Sequence, residues 1–102
     1  EGEFRGLVAE DCRGELVGLA HFLLHRSGWS QQSNKCYLQD LFVSPAARGS
    51  GAGRSLIQAV GARADELSAH PIYWFTHESN AQARVLYDKV GVQTSFLKYE
   101  RR

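Results

Sequence analysis

The sequence has few cysteines and no long apolar run, and each of these shortages excludes a class of protein. The 102 residues include only two cysteines, Cys12 and Cys36, which are too few for a disulfide framework and do not have metal-ligand spacing. No stretch approaches the roughly 20 apolar residues that span a bilayer. The first residues lack the basic and apolar segments of a signal peptide. We therefore expect a cytoplasmic protein with reduced thiols, no membrane segment and no metal site.

Positive and negative charges are nearly balanced in the sequence. Twelve Lys and Arg residues against 11 Asp and Glu residues give a formal net charge of +1. No global field therefore attracts nucleic acid or an acidic membrane, and we expect no specific nucleic-acid partner. A hydrophobic content of 43% and a charged content of 23% are those of an ordinary globular chain. The length suits one domain, residues 1–102.

Apolar spacing and turn residues together predict the order β-β-β-α-β-α-β. The first two strands, 4–10 and 16–25, are predicted to form an antiparallel hairpin joined by a turn over 11–15. The remaining elements are a loop over 26–35, strand 36–43, a helix whose apolar face runs from 56 to 67, strand 72–76, a helix over about 80–90 and strand 92–100. Pro71 ends the first helix, because proline disfavours helical geometry in the residue before it. Ser79 and Gln82 fit a capping box for the second helix, which Gly91 ends.

A glycine-rich segment, Arg-Gly-Ser-Gly-Ala-Gly at residues 48–53, lies between the third strand and the first helix. A helix start leaves its first N–H groups unpaired and carries a partial positive charge. Glycines at 49, 51 and 53 remove the Cβ atoms that keep an anion away, and Arg48 adds a charge-assisted contact. The spacing is neither that of a Walker loop nor the dinucleotide fingerprint. Taken alone, the segment fits an anion site or a plain turn.

The surrounding residues resemble a known family. Residues 41–53 (LFVSPAARGSGAG) match every defined position of the GNAT superfamily signature L-x-V-x-P-x-x-R-G-x-G-x-G. Residues 80–87 (NAQARVLY) resemble the family's N-x-x-A-x-x-L-Y element, and residues 73–80 with 96–99 look most like the histone-and-polyamine acetyltransferase subgroup. The resemblance implies an α/β (α+β) fold with helices packed on a mixed, mainly antiparallel sheet. It also implies an acyltransferase that uses acetyl-CoA as co-substrate.

The resemblance further implies roles for individual residues on the donor side. Backbone groups of Leu41 and Val43 would pair with the pantetheine arm as another strand does. The pyrophosphate would be held by the amides of Arg48, Gly49, Ser50, Gly51, Ala52 and Gly53. Asn80 would hydrogen-bond the pantetheine, and Tyr87 would act as general acid, because a phenol is a suitable proton donor to a departing thiolate. Asn80 is also an ordinary helix-start residue, and Tyr87 also fits an apolar helix face.

The general base stays open at this stage. An amine acceptor has to lose a proton, and Asp40, His77 and Glu78 are the candidate acceptors of that proton. Because side chains alternate along a strand, the Asp40 side chain is expected on the opposite face of the strand from those of Leu41 and Val43. A solvated or structural role is the alternative for each of the three candidates.

The resemblance is incomplete at the amino-terminal side. GNAT domains usually open with a strand and two helices that have no counterpart here, and those helices form one wall of the acceptor groove. We expect either a piece of a longer protein or a short domain that completes itself by association, with a homodimer as the expected assembly. The expected function is N-acetyl transfer to a primary amine of a small molecule or a protein. The alternative is a non-catalytic acyl-CoA-binding sensor or remnant domain.

Overall fold

The computed structural model describes residues 3–26 and 34–102. Within these ranges the elements are β1 (Glu3–Glu10), β2 (Leu16–Arg26), β3 (Asn34–Val43), a 3-10 turn (Pro45–Ala47), α1 (Ala52–Glu66), β4 (Ala69–Tyr73) and α2 (Ala81–Val90). The sheet has the order β1-β2-β3-β4, antiparallel except for the parallel pair β3 and β4. The predicted α/β fold with a mixed, mainly antiparallel sheet is confirmed. No helix in these ranges is long and apolar enough to cross a membrane.

The predicted hairpin of β1 and β2 is confirmed, and its turn is specified by local chemistry. The Asp11 carboxylate accepts hydrogen bonds from the backbone N–H groups of Arg13, at 2.8 Å, and Glu15, at 3.0 Å. Gly14 takes a left-handed conformation with φ +80°, which glycine adopts without steric cost. The turn therefore fixes where the two strands begin to pair.

Helix α1 covers one face of the sheet and forms the core with it. Its buried side chains recur at helical spacing, as the sequence predicted: Leu56, Ile57, Val60 and Ala64. They pack against alternate residues of the strands, namely Ala20, Phe22, Leu24, Cys36 and Leu38. The opposite face is open in the described part of the chain, where Phe4, Val8 and Phe42 are more than half exposed.

Two predicted boundaries around α1 and β4 are wrong. Helix α1 ends at Glu66 rather than at His70–Pro71, because the chain turns at Ser68, whose φ is +54°. Strand β4 then starts at Ala69 and ends at Tyr73, so it contains the proline that was expected to separate helix and strand. An edge strand tolerates proline because one side of it needs no ladder donor.

The predicted loop over 26–35 is shorter than expected where it can be described. Strand β2 extends through Arg26, and β3 already begins at Asn34. The remainder of that loop, residues 27–33, lies outside the described residues.

The predicted final strand, residues 92–100, is not formed. In the structure these residues have no strand assignment, and their apolar side chains are exposed: Val92, Phe96, Leu97 and Tyr99. The segment was predicted from its composition, but a strand also requires a neighbour that pairs its backbone groups. In the described chain the segment has no ladder partner, although the Lys98 ammonium lies 5.7 Å from the centroid of the Phe75 ring.

Candidate functional site

The parallel strands β3 and β4 separate partway along β3. Their pairing begins at Asn34 and ends where Tyr37 lies beside Tyr73, which is also the last residue of β4. Strand β3 continues to Val43 with a partner on its β2 side only. The second half of β3 therefore has a free edge, and a gap opens beside it.

Backbone hydrogen bonds show which groups face this gap. The Ser44 N–H donates to Val17 O on the β2 side at 2.8 Å. The Val43 C=O belongs to the same trans peptide and therefore points the other way, where it accepts from Arg48 Nε at 3.3 Å. Because strand residues alternate in direction, the backbone groups of Leu41 face the gap as well. Leu41 and Val43, predicted as pantetheine-binding residues, thus present free strand edge to the gap.

An irregularity in β3 decides which side chains lie on which face. His21 lies opposite Asp40, and Phe22 lies opposite Leu38, so Gln39 is an extra residue without a partner. This β-bulge shifts the alternation by one residue. As a result Leu41 and Val43 pack on the core side, together with Cys36 and Leu38.

The carboxylate of Asp40 lies on the open face, as the alternation predicted relative to Leu41 and Val43. Its Oδ2 is 3.5 Å from Nδ1 of His21, and both side chains are substantially exposed. The imidazole of His21 lies over Gly6, where a Cβ would be 3.2 Å from Cδ2 of the ring. The candidate base Asp40 therefore has a titratable neighbour.

The glycine loop offers fewer free amides than expected. The N–H groups of Arg48 and Ser50 donate to the carbonyls of Pro45, at 3.4 Å, and Ala47, at 3.1 Å. The amides without a hydrogen-bond partner among the described residues are those of Gly49, Gly51, Ala52 and Gly53. Since α1 begins at Ala52, these amides also lie at the positive end of its dipole. The loop therefore retains a group of donors suited to an anion.

The three glycines of the loop serve two different purposes. Gly49 and Gly51 have φ of +83° and +91°, and a Cβ at either would have no neighbour within 4 Å. They provide the left-handed turn and leave space for a ligand. At Gly53 a Cβ would lie 3.1 Å from Cδ2 of Leu86, so this glycine allows α1 to pack closely against α2.

A cleft of about 480 Å³ lies on the hairpin side of the loop. Its lining includes Ser50, Gly51 and Ser55, but also Glu10 and Asp11. Carboxylates beside the cleft oppose a phosphate there. The gap side of the loop, where Arg48 lies against the Val43 carbonyl, is therefore the better place for an anion.

Asn80 and Tyr87 lie at the start and on the inner face of α2. The Asn80 Oδ1 accepts from the Ala83 N–H at 3.3 Å, so Asn80 rather than Ser79 is the N-cap and the predicted capping box is not formed. Tyr87 packs its ring against Trp74 with centroids 5.5 Å apart. Burial raises the pKa of the Tyr87 hydroxyl above its ordinary value. The phenol is therefore protonated at neutral pH.

The described contacts of His77 and Glu78 lie within the turn before α2 and at its start. Nδ1 of His77 accepts from the hydroxyl of Ser79 at 2.7 Å, and the Glu78 carbonyl accepts from the side chain of Arg84 at 2.9 Å. The Glu78 side chain is exposed. These contacts orient the turn and do not join either candidate base to the free edge of β3.

An aromatic cluster on the open face was missed from the sequence. It lies where β3 and β4 separate, and its members are His25, Tyr37, Tyr73 and Phe75. Nε2 of His25 is 2.6 Å from the Tyr73 hydroxyl, the shortest side-chain contact between a histidine and another element in the described chain. Alternation in strand 72–76 places Tyr73 and Phe75 on one face, but the cross-strand register that adds His25 is not readable from local sequence.

Comparison with known proteins identifies the family. The profile of the Acetyltransferase (GNAT) family matches residues 1–92, so the chain belongs to this family. The chain is 41% identical over 97 residues to D-amino-acid N-acetyltransferase HPA3 of Saccharomyces cerevisiae, covering 94% of this chain and 60% of that protein. It is 35% identical over 96 residues to the uncharacterized N-acetyltransferase YhfO of Bacillus subtilis, covering 91% of this chain and 62% of that protein. The chain thus spans about three-fifths of the length of these relatives.

A solved structure supports the same fold. An aminoglycoside acetyltransferase, HMB0005, from an uncultured soil metagenomic sample superposes with a TM-score of 0.86 at 26% identity. The superposition covers 97% of this chain and 65% of that one. The GNAT fold expected from the resemblance is therefore confirmed.

Proposed function

We propose that the chain is an acetyl-CoA-dependent N-acetyltransferase in which a primary amine attacks the thioester carbonyl directly. The observation that carries this proposal is a row of backbone groups, none of them in a backbone–backbone hydrogen bond, that runs from the gap edge of β3 to the start of α1. Leu41 and Val43 offer strand-pairing groups to an extended pantetheine arm. The free amides within residues 49–53 offer hydrogen bonds to a pyrophosphate. These chemical needs occur in the same order along acetyl-CoA.

Arg48 connects the two parts of this row. Its Nε is bonded to the Val43 carbonyl, so its guanidinium lies beside both the strand edge and the loop. A guanidinium retains further N–H donors when one is engaged, and a phosphate oxygen is a strong acceptor for them. We expect Arg48 to contact the pyrophosphate, and a backbone N–H on the gap edge of β3, the edge that ends at Val43, to polarise the thioester carbonyl. Acetyl-CoA supplies the acetyl group when it is bound.

Tyr87 is the proposed general acid for the departing thiolate. Two observations support this role over that of an ordinary core aromatic. Its hydroxyl has no hydrogen-bond partner among the described residues, although the ring is packed against Trp74. Its raised pKa keeps the phenol protonated at neutral pH, so that a proton is in place when the thiolate forms beside it. Asn80 uses Oδ1 for the helix cap, which leaves its amide N–H groups for the proposed contact with pantetheine.

The predicted bases Asp40 and Glu78 differ in their support. Asp40 lies on β3 immediately before Leu41, on the open face from which an acceptor can approach the gap. Glu78 has an exposed side chain in the turn before α2. Asp40 is therefore the better supported of the two predictions.

For the acceptor we propose a chemical class, and for the assembly a homodimer. The related proteins are named for D-amino acids and for aminoglycosides, which share only an amine. We propose a small-molecule or protein amine as acceptor; the likeness to the histone-and-polyamine subgroup stays a prediction. The exposed Phe4, Val8 and Phe42 on the open face support a homodimer. The free cysteines Cys12 and Cys36 are compatible with a cytoplasmic location.

Calorimetric titration of acetyl-CoA, followed by thiol release across a panel of amines, tests the proposal. We expect saturable binding and amine-dependent release. Tyr87→Phe should lower kcat by about a hundredfold, the usual contribution of acid catalysis, and leave the affinity for acetyl-CoA unchanged. Tyr99→Phe is the matched control, because Tyr99 is 88% exposed and outside the site.

The outcomes separate the possible functions. Absence of acetyl-CoA binding would exclude both an enzyme and an acyl-CoA sensor. Binding without release for any amine would favour the sensor. Unchanged turnover of Tyr87→Phe would show that another group protonates the thiolate.

A further inference from the structure

His25 and Tyr73 form a hydrogen-bonded pair that has no part in the function described so far. His25 lies on β2 and Tyr73 on β4, and their side chains meet across β3, with Nε2 2.6 Å from the hydroxyl oxygen. The two rings are perpendicular, with centroids 5.7 Å apart and an interplanar angle of 88°. A short hydrogen bond between side chains on β2 and β4, with β3 between them, restricts the position of both side chains relative to the sheet.

The direction of this hydrogen bond follows from the second nitrogen of the imidazole. Nδ1 of His25 is 3.1 Å from the carbonyl oxygen of Arg26. A carbonyl only accepts, so Nδ1 carries the hydrogen. In the neutral ring Nε2 is then an acceptor, and the Tyr73 hydroxyl donates to it. The two hydrogen bonds therefore run in one direction: the Tyr73 hydroxyl donates to the imidazole, and the imidazole donates to the Arg26 carbonyl.

Neighbouring groups hold this chain in place. Tyr37 stacks on Tyr73 with centroids 5.1 Å apart, and Phe75 contacts Tyr73 edge to face at 6.1 Å. Two lysines are associated with this cluster: Lys35 is the cross-strand partner of His25, and the Lys98 ammonium lies 5.7 Å from the centroid of the Phe75 ring. Burial raises the pKa of Tyr73, with smaller contributions from Tyr37 and Cys36, so its hydroxyl is protonated at neutral pH.

The pair also lies at the right place for acyl transfer. Tyr73 is the last residue of β4, at the point where β3 and β4 separate and the gap begins. Its side chain is on the open face of the sheet, the same face as Asp40. Tyr73 therefore carries its hydroxyl on the side of the sheet from which an acceptor reaches the gap, and the hydroxyl oxygen has lone pairs available to accept a proton.

We propose that Tyr73 and His25 relay the proton of the acceptor amine. The inference rests on the proposed acetyl transfer. As the amine nitrogen bonds to the acetyl carbon and the carbon–sulfur bond breaks, the Tyr73 oxygen takes one amine proton. The hydroxyl proton of Tyr73 passes to Nε2 of His25, while Tyr87 protonates the thiolate. The imidazolium, still bonded to the Arg26 carbonyl, then returns its proton to water, and Tyr87 regains one from water.

Tyr73→Phe tests the relay because it removes the hydroxyl and keeps the ring. Thiol release should be measured with the best amine of the panel between about pH 6 and about pH 10. We expect kcat/KM to fall by about a hundredfold at neutral pH, with KM for acetyl-CoA little changed. The deficit should shrink as the pH rises, since the growing concentration of hydroxide provides another acceptor for the amine proton. Tyr37→Phe, which alters the stacked neighbour in the same way, is the control and should retain turnover.

His25→Gln tests the second member, and His70→Gln on exposed β4 surface is its matched control. We expect the same pH-dependent deficit in His25→Gln and none in His70→Gln. Nitrogen-15 NMR of the wild-type imidazoles provides a readout that does not depend on activity. The spectrum should show His25 protonated at Nδ1, and Tyr73→Phe should move its Nε2 resonance.

Several results would overturn the relay. The relay is wrong if Tyr73→Phe keeps the wild-type kcat/KM, or if Tyr37→Phe loses as much activity as Tyr73→Phe. It is also wrong if the loss of kcat/KM does not change with pH, or if NMR shows His25 protonated at Nε2 instead of Nδ1. If Asp40→Asn alone shows the pH-dependent deficit, Asp40 is the base and the relay is wrong. If the wild-type protein releases no thiol with any amine, the proposed function itself fails, which is distinct from active enzyme that tolerates Tyr73→Phe.

Discussion

On the side of the sheet that α1 covers, β2 presents Ala20, Phe22 and Leu24, all buried. On the open side the same strand presents His21 and His25, each in contact with a polar group on another strand. One face therefore consists of apolar side chains that exclude water. The other carries titratable side chains at positions that alternate with them.

This difference suggests that the two faces of a single strand have different roles, one in stability and one in chemistry. The covered face stabilises the sheet, and the sheet in turn fixes the spacing of the groups on the open face. Donor binding in our proposal uses neither face but the backbone edge of β3, which lies between them. Side chains on the open face can then differ between relatives with different amines without altering the acetyl-CoA site.

The largest effect should come from removing an aromatic ring on the covered face. Phe22 is 1% exposed and Phe42 is 54% exposed. Phe22→Ala should reduce the free energy of unfolding by about 3–5 kcal/mol, since it leaves a cavity in the core. Phe42→Ala should cost less than about 1 kcal/mol. Denaturant unfolding of both variants measures the difference, and equal losses would show that the open face is covered in solution, as in a homodimer.

Two strand glycines provide a finer comparison of the faces. At Gly18 a Cβ would lie 2.9 Å from Cδ1 of Leu56 and 3.1 Å from the Phe42 carbonyl oxygen. Gly18→Ala should therefore destabilise the fold by about 1–3 kcal/mol, because core and backbone atoms must move. At Gly6 the nearest atom is Cδ2 of His21, at 3.2 Å, and that ring can rotate towards solvent. Gly6→Ala should be within about 0.5 kcal/mol of the parent.

The same denaturant experiment checks the glycine pair. A Gly6→Ala variant as unstable as Gly18→Ala would mean that His21 is held more tightly than its exposure indicates.

The smallest effect should appear at alkaline pH. Burial raises the pKa of Cys36 and Tyr87, and also that of Tyr73. The folded state therefore opposes ionisation of these groups, and their contribution is complete below the unfolded pKa values of roughly 8.5 for cysteine and 10 for tyrosine. The free energy of unfolding should fall as the pH rises above these values. Tyr87→Phe should lessen the decline above about pH 10, whereas Tyr99→Phe should leave it unchanged. Parallel curves for the parent and Tyr87→Phe would contradict the assigned burial.

Much of the fold could be predicted because its signals are local. The turn at Asp11 and the helical spacing of Leu56 and Val60 depend on residues close in sequence, and both predictions are confirmed. The strand predicted over 92–100 is wrong because strand formation depends on a distant partner that composition does not reveal. Pro71 was read as a boundary, whereas the topology places it within an edge strand.

The candidate site shows the same limit. The order of Leu41, Val43 and the glycine loop along the chain was enough to predict a linear donor site. The pair of His25 and Tyr73 could not be predicted, because 48 residues separate its members and two strand registers bring them together. The assignment of Ser79 as helix cap was wrong because Asn80, which also caps helices well, lies one residue nearer to the first turn.

The unpaired Gln39 determines which side chains in the second half of β3 face the core. If β3 instead paired regularly through Gln39, without the bulge, strict alternation would carry the Asp40 carboxylate into the core and turn Leu41 and Val43 to solvent. No substitution at any one of these positions exchanges the two surfaces in this way. Loss of Gln39 itself should therefore preserve both surfaces, whereas a variant that gained or lost one residue between Asp40 and Val43 would need a compensating change nearby to keep a donor site.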